Sequence, residues 1–158
     1  MINKILRKLL YGNKADSKTY IEYLRSLGMK IGEETTIYVP TKTQIDTTRP
    51  WLISIGNNVK ITEDVTILTH GFDWSVLKGV YGDILGSGGC GNCNNVFIGM
   101  KSTILKGVHI GNNVIIGANS LVNKDIPDNC VAAGNPCKVI KEAEKGDRYG
   151  IIDKKDGE

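Results

Sequence analysis

Isoleucine or valine returns every sixth residue through much of this chain, at Ile55, Ile61 and Ile67 and again at Ile98, Ile104, Ile110, Ile116 and Val122. A period of six fits neither the roughly 3.6-residue turn of an α-helix nor the simple alternation of a strand. Each hexapeptide is therefore one side of a repeating coil, and three sides close one turn of a parallel β-helix. A small or branched residue four places on, as in Val59, Val65, Ser102, Val114 and Ser120, fits the tight corner between sides. Gly56, Gly99, Gly111 and Gly117 directly follow the aliphatic residue, where permissive backbone is expected to help turn the corner. The period thus specifies a solenoid wound around one thin aliphatic column.

At 158 residues the chain holds one domain with small additions, and 41% hydrophobic with 23% charged residues is ordinary for a folded protein. The 19 glycines and 6% aromatics suit an interior of stacked Ile and Val. A net charge of +3, with no basic run interleaved with aromatics, gives no support to a nucleic-acid partner and leaves an anionic small molecule open. In MINKILRKLLYGNK the cations interrupt the apolar core a signal peptide needs, and no segment has the length of a membrane span. A cytoplasmic protein without stable membrane insertion is expected, with Cys90, Cys93, Cys130 and Cys137 as reduced thiols and no disulfides.

Ile2, Ile5, Leu6, Leu9 and Leu10 share one helical face, with Asn3, Lys4, Arg7 and Lys8 opposite. A second helix starts near Asp16, with Ser17 and Thr19 as other cap candidates, and runs to Gly28. Residues 1–28 are expected to form a helical cap over the first turn of the coil, covering a sheet edge, with membrane attachment as the alternative reading of these helices. Residues 29–141 form the β-helix domain, interrupted by an excursion at about 71–95, and 142–158 a charged tail. The hexads begin faintly at Ile31 and Ile37 and lapse at Thr43 and Arg49, so that TQIDTTRPW reads as a distorted coil or a polar surface. Ile67 and Ile98 are not a whole number of hexads apart, and the Gly- and aromatic-rich stretch between them has no interior column. Loops of that length in a compact domain are functional or disordered.

Only two histidines occur, His70 and His109. His70 stands in ILTHGFDW at the mouth of the excursion, where neutral imidazole, with an ordinary pKa near 6.5, is a candidate general base. His109 precedes the inward Ile110 and is expected to face solvent.

The hexads, the ILTHGFDWSVL segment, the run NNVFIGMKSTILKGVHIGNNVIIGANSLVNKDIP and the closing AAGNPCKVIKE together resemble the hexapeptide-repeat acyltransferases, in the branch of the maltose, galactoside and polysaccharide O-acetyltransferases. The resemblance spans residues 30 to 141 and several motifs in the family's order. It implies a mainly β fold, a left-handed parallel β-helix with short N-terminal helices and a long excursion loop, assembled as a homotrimer that binds acetyl-CoA between subunits. His70 matches the catalytic histidine, which would deprotonate an acceptor hydroxyl for direct attack on the thioester, with no acyl-enzyme. Asp46 and Asp73 are the acidic candidates to orient it, although either could satisfy a loop turn instead.

For acetyl-CoA the resemblance implies Phe97 against the pantetheine arm, Met100, Ala118 and Asn123 along the groove, and Lys124, Lys138 and Lys141 near the phosphates and adenine. Relatives often carry arginine where Lys138 stands, so a weaker, non-bidentate contact is expected there. Acceptor recognition would fall to Arg49, Trp51, Phe72, Trp74 and Tyr81, whose aromatic faces suit sugar rings and could equally anchor the loop. Cys90 and Cys93 form a CxxC pair, half of a zinc site, but Cys137 lies in the closing motif where relatives carry cysteine without metal, and no metal is expected.

These residues point to an acetyl-CoA-dependent O-acetyltransferase acting on a sugar hydroxyl, in a surface polysaccharide or its precursor. The alternatives are N-acetylation of an amino sugar, O-acetylation of serine, or a solenoid that binds without turnover. A zinc carbonic anhydrase on the same coil would need three histidine ligands, more than this chain contains.

Overall fold

The computed structural model describes residues 4–71 and 93–142. Among these residues, helices α1 (Lys4–Tyr11) and α2 (Ser17–Ser26) precede twelve short strands. The first coil contains β1 (Lys30–Ile31), β2 (Thr36–Ile37) and β3 (Gln44–Ile45), and the second β4 (Ser54–Ile55), β5 (Val59–Ile61) and β6 (Thr66–Ile67). Then follow β7 (Val96–Ile98), β8 (Thr103–Ile104), β9 (Val114–Ile116), β10 (Leu121–Val122), β11 (Cys130–Ala133) and β12 (Lys138–Glu142).

Strands β1 to β6 pass in rotation through three parallel sheets, ordered β1-β4, β2-β5-β7-β9-β11 and β3-β6-β8-β10; from β7 to β11 the named strands alternate between the second and third, and an Ile110–Ile126 bridge adds pairing outside them. The registers align Ile37, Ile61, Ile98, Ile116 and Ala132 in one column and Ile45, Ile67, Ile104 and Val122 in another. Every one of these side chains is buried, and each aliphatic one contributes roughly 1.5–3 kcal/mol by leaving water. The six-residue period is therefore the path length from one sheet to the next.

The lapse at Thr43 and Arg49 is a shift of frame. Ile45, two residues beyond the expected place, points inward at 6% exposure, and Thr43 occupies the buried corner with its hydroxyl donating to the Val39 carbonyl at 3.0 Å. The next corner carries a short 3-10 turn at Pro50–Leu52 before Ile53 and Ile55 restore the column. TQIDTTRPW is thus a distorted side of the coil that still supplies one core isoleucine.

The glycines after each aliphatic residue serve close approach, correcting the expectation that they supply unusual backbone angles. A Cβ on Gly99 would lie 2.5 Å from the Ala118 amide nitrogen, and one on Gly56 2.3 Å from the Cys93 carbonyl oxygen. The left-handed corner positions are held mostly by asparagine: Asn58, Asn95, Asn113 and Asn129 all have φ between 52° and 57°. Asn visits this region more readily than other non-glycine residues. Their side chains form a ladder, Asn58 donating to Asn95 at 3.0 Å, Asn95 to Asn113 at 3.0 Å and Asn113 to Asn129 at 2.7 Å. Beside it Asn57, Asn94, Asn112 and Asp128 form a second ladder whose side-chain oxygens also accept backbone amides of the preceding coil.

Asp16 caps α2, its carboxylate accepting from the Thr19 amide at 2.9 Å and hydroxyl at 3.0 Å. Tyr20, Ile21 and Leu24 are buried against the first coil, and the Arg25 guanidinium donates to the carbonyls of Ile31 and Gly32, each at 2.9 Å. α2 is the element that covers the first turn. α1 does not share that role, because its apolar side chains are exposed. At the far end β12 turns back antiparallel to β11 and ends the parallel run.

Cys93 is buried in the core and disulfide-bonded, which corrects the expectation of reduced thiols there, while Cys130 and Cys137 are free. Redox compartment governs whether a disulfide persists, not whether the chain geometry permits one.

The corner ladder yields a direct expectation. Asn113→Ala removes two side-chain hydrogen bonds and leaves a Cβ-bearing residue at positive φ, so unfolding in denaturant should show a loss of about 1–3 kcal/mol. Asn113→Gly, which relieves the backbone conflict, should recover part of that loss.

Candidate active site

The shifted frame at Ile45 places Asp46 directly after an inward residue, with its amide bonded to the Ile67 carbonyl at 3.0 Å. Thr69 and His70 leave β6 at the same corner. The Asp46 carboxylate Oδ2 lies 2.7 Å from His70 Nδ1. The sequence left Asp46 and Asp73 as equal candidates for this contact; the pair observed is Asp46 with His70, and Asp73 lies outside the described residues.

Asp46 is held from several sides. Its Oδ1 accepts from the Thr48 amide at 2.9 Å and the Thr48 hydroxyl at 2.7 Å. Its Oδ2 accepts from the Thr69 amide at 3.2 Å and from the Thr69 hydroxyl. The Asp46 side chain is only 8% exposed and that of His70 23%. Burial works against ionisation of Asp46, but the hydroxyl and backbone donors of Thr69 and Thr48 outweigh it and hold the carboxyl well below its ordinary range. Asp46 is therefore an anion throughout the neutral range. It favours the imidazole tautomer with its proton on Nδ1, which puts the basic lone pair on Nε2.

Because the folded-state pKa is depressed, the stability that ionised Asp46 contributes is present above the ordinary carboxylate value and is lost as pH falls through the lower, folded one. Neither Thr48 nor Thr69 was singled out from the sequence. The available signal was a threonine beside each partner, in DTT and LTH.

The residues matched to the cosubstrate occupy three parts of the surface. Phe97 stands at the centre of β7, 41% exposed, between Lys60 and Ile115 in register. Met100 and Ala118 stack at the corner leading from β7 to β8 and from β9 to β10; Met100 is 43% exposed, and the Asn119 amide bonds its carbonyl at 2.8 Å. Asn123 and Lys124 are exposed just after β10. Backbone bonds from Asp46 to Ile67, Leu68 to Ile104 and Leu105 to Val122 place them on the edge of the coil that carries His70. Lys138 and Lys141 lie exposed on β12. The strand path of a single copy therefore does not gather these groups at one corner.

Arg49 is half-buried beside the 3-10 turn and Trp51 is 68% exposed on it. Phe72, Trp74 and Tyr81 lie outside the described residues. His109 is exposed, with its amide bonded to Asp125 at 2.7 Å, and takes no part in the Asp46 cluster.

The family model for the bacterial transferase hexapeptide (six repeats) matches residues 93–124. Protein CapG of Staphylococcus aureus is 38% identical over 143 residues, covering 90% of this chain and 80% of that protein. The galactoside O-acetyltransferase of Escherichia coli (strain K12) is 39% identical over 104 residues, which are 63% of this chain and 48% of that protein. Among solved structures, a maltose O-acetyltransferase from Clostridium difficile 630 superposes with a TM-score of 0.54 at 28% identity, covering 90% of this chain and 84% of that one. A galactoside acetyltransferase in complex with coenzyme A gives 0.53 at 27% identity, covering 95% and 86%. With this coil and this similarity, the chain belongs to the hexapeptide-repeat acyltransferase family. It is an acyltransferase.

Thr69→Val keeps most of the side-chain shape and removes one donor to Asp46. The Asp46 titration should move up toward the ordinary value near 3.9, so this carboxylate should begin to be neutralised at a higher pH. NMR titration of the Asp46 side-chain carboxyl carbon would read that shift directly.

Proposed function

We propose that this protein is an acetyl-CoA-dependent O-acetyltransferase acting on a sugar hydroxyl, in a surface polysaccharide or its precursor. The observation that carries the reading is the 2.7 Å contact between His70 Nδ1 and an Asp46 whose charge is secured by two threonines. In this reading His70 Nε2 takes the proton of the acceptor hydroxyl as that oxygen attacks the thioester carbonyl of acetyl-CoA. The C–O bond forms, the tetrahedral centre collapses with loss of the C–S bond, and the proton held by His70 passes to the departing thiolate. Asp46 stabilises the imidazolium during the interval in which it carries charge.

Acetyl-CoA as the donor is supported by the acetyltransferase relatives and by the coenzyme A complex of one of them. The side chains fit such a ligand: Phe97 and Met100 offer exposed apolar surface to a pantetheine arm, Ala118 leaves space at a corner, and Lys124, Lys138 and Lys141 are exposed cations suited to phosphate. Their distribution over one edge, one corner and one sheet supports a groove completed by a neighbouring copy. We therefore read the functional unit as a homotrimer of left-handed β-helices, with Arg49 and Trp51 on the acceptor side. The dependence on acetyl-CoA favours a cytoplasmic location.

Thiol release from acetyl-CoA across a panel of sugars, amino sugars and serine tests the reading. Release should require a sugar acceptor and fall by about 10²–10⁴ in His70→Ala. Asp46→Asn should fall comparably while remaining folded. Preference for an amino group or for serine would move the assignment to those acceptors, and coenzyme binding without turnover would make the chain a binding solenoid. Phe97→Ala should raise the KM for acetyl-CoA while leaving kcat within about threefold, as expected for contacts made equally in ground and transition states.

A further inference from the structure

α1 displays a continuous apolar face that the coil does not cover: Leu6, Leu9 and Leu10 are 48%, 78% and 61% exposed, beside Ile5 at 70%. Arg7 and Lys8 lie exposed on the opposite face, and residues 4–15 contain no acidic side chain. The first acid, Asp16, is engaged as the cap of α2. The helix is firmly joined to the body. The 3-10 turn Gly12–Lys14 follows it, and Lys14 Nζ donates to the Thr43 carbonyl at 3.0 Å and sits 5.2 Å from the Tyr20 ring centroid.

A helix with leucines on one face and only cations on the other is suited to lie in the plane of an anionic lipid surface, with the leucines among the acyl chains and the cations at the headgroups. A second copy seated on the leucine face would leave Arg7 and Lys8 pointing away from the contact, so that occupant makes no use of the cations. We infer that α1 docks this protein on anionic membrane surfaces as a reversible, peripheral contact. No helix among the described residues is long and apolar enough to cross a bilayer. A crevice of about 300 Å³ lined by Tyr11, Lys14, Tyr20, Ile45 and Thr47 joins the end of α1 to the residue beside Asp46, so α1 meets the body at the end of the coil that carries the Asp46–His70 pair. The inference concerns binding and does not depend on the identity of the acceptor.

The test is flotation of the full chain with phosphatidylcholine vesicles, with and without phosphatidylglycerol, alongside sedimentation velocity. The protein should float with the anionic vesicles only, and its partition should fall about tenfold or more in Leu9→Glu/Leu10→Glu. Arg7→Glu/Lys8→Glu and raised salt should each produce a loss of similar order. Unchanged circular dichroism and sedimentation would show that the variants remain folded and assembled. Absence from both vesicle types, or equal flotation with both, would overturn the inference. So would a change of oligomeric state in Leu9→Glu/Leu10→Glu, which would assign the leucine face to a second copy.

Discussion

Backbone-to-backbone stacking of one coil on the next is the constraint on which everything else depends. Parallel neighbours in a sheet stand about 4.8 Å apart, and that spacing leaves no volume for a Cβ at Gly56 or Gly99. The same spacing lets asparagine side chains one coil apart bond in register, so each corner is fixed by its neighbours above and below. Such amide ladders need identical side chains at a constant repeat. Here the repeat holds between residues far apart in the chain, since Asn58 bonds to Asn95 as Asn95 does to Asn113. The aliphatic columns give the coil its stability, and the glycines and asparagines give it its register.

The candidate site uses a departure from that regularity. The wider corner before Ile45 and the 3-10 turn after Asp46 free this side of the first coil from the hexad geometry, and the site residues stand where the regular path is broken. Thr48 and Thr69 each bring a hydroxyl and an amide to one carboxylate, so among the described residues the charge of Asp46 is met by short-range dipoles. A neutralising lysine would compete with His70 for the same oxygens, whereas hydroxyl and amide donors leave Oδ2 available to the imidazole.

Much of this was legible in the chain because a period is a redundant signal. Each of Ile55, Ile61, Ile67, Ile98, Ile104, Ile110, Ile116 and Val122 repeats the statement made by the others, and all are buried. Ile45 was missed because a two-residue insertion at a corner leaves no pattern of its own. Thr48 and Thr69 were missed because a hydroxyl that donates to a carboxylate has no preferred spacing from it in sequence. His70 was found through its scarcity and its place at a loop mouth, and Asp46 only as one of two acids. α1 was legible as amphipathic, yet periodicity defines a face without saying what lies against it, and the exposure of Leu9 and Leu10 required the structure.

The antiparallel return of β12 along β11 fixes where the stack stops. The coils from β7 to β10 keep the regular hexad geometry and are interchangeable storeys. Duplicating one storey between β8 and β9 would leave the Asp46–His70 corner untouched and would move Lys138 and Lys141 away from it by about 4.8 Å. Height in such a building is a ruler: the number of storeys sets the distance between the Asp46–His70 corner and the lysines of β12, and gaining or losing one would change that distance without altering the corner itself.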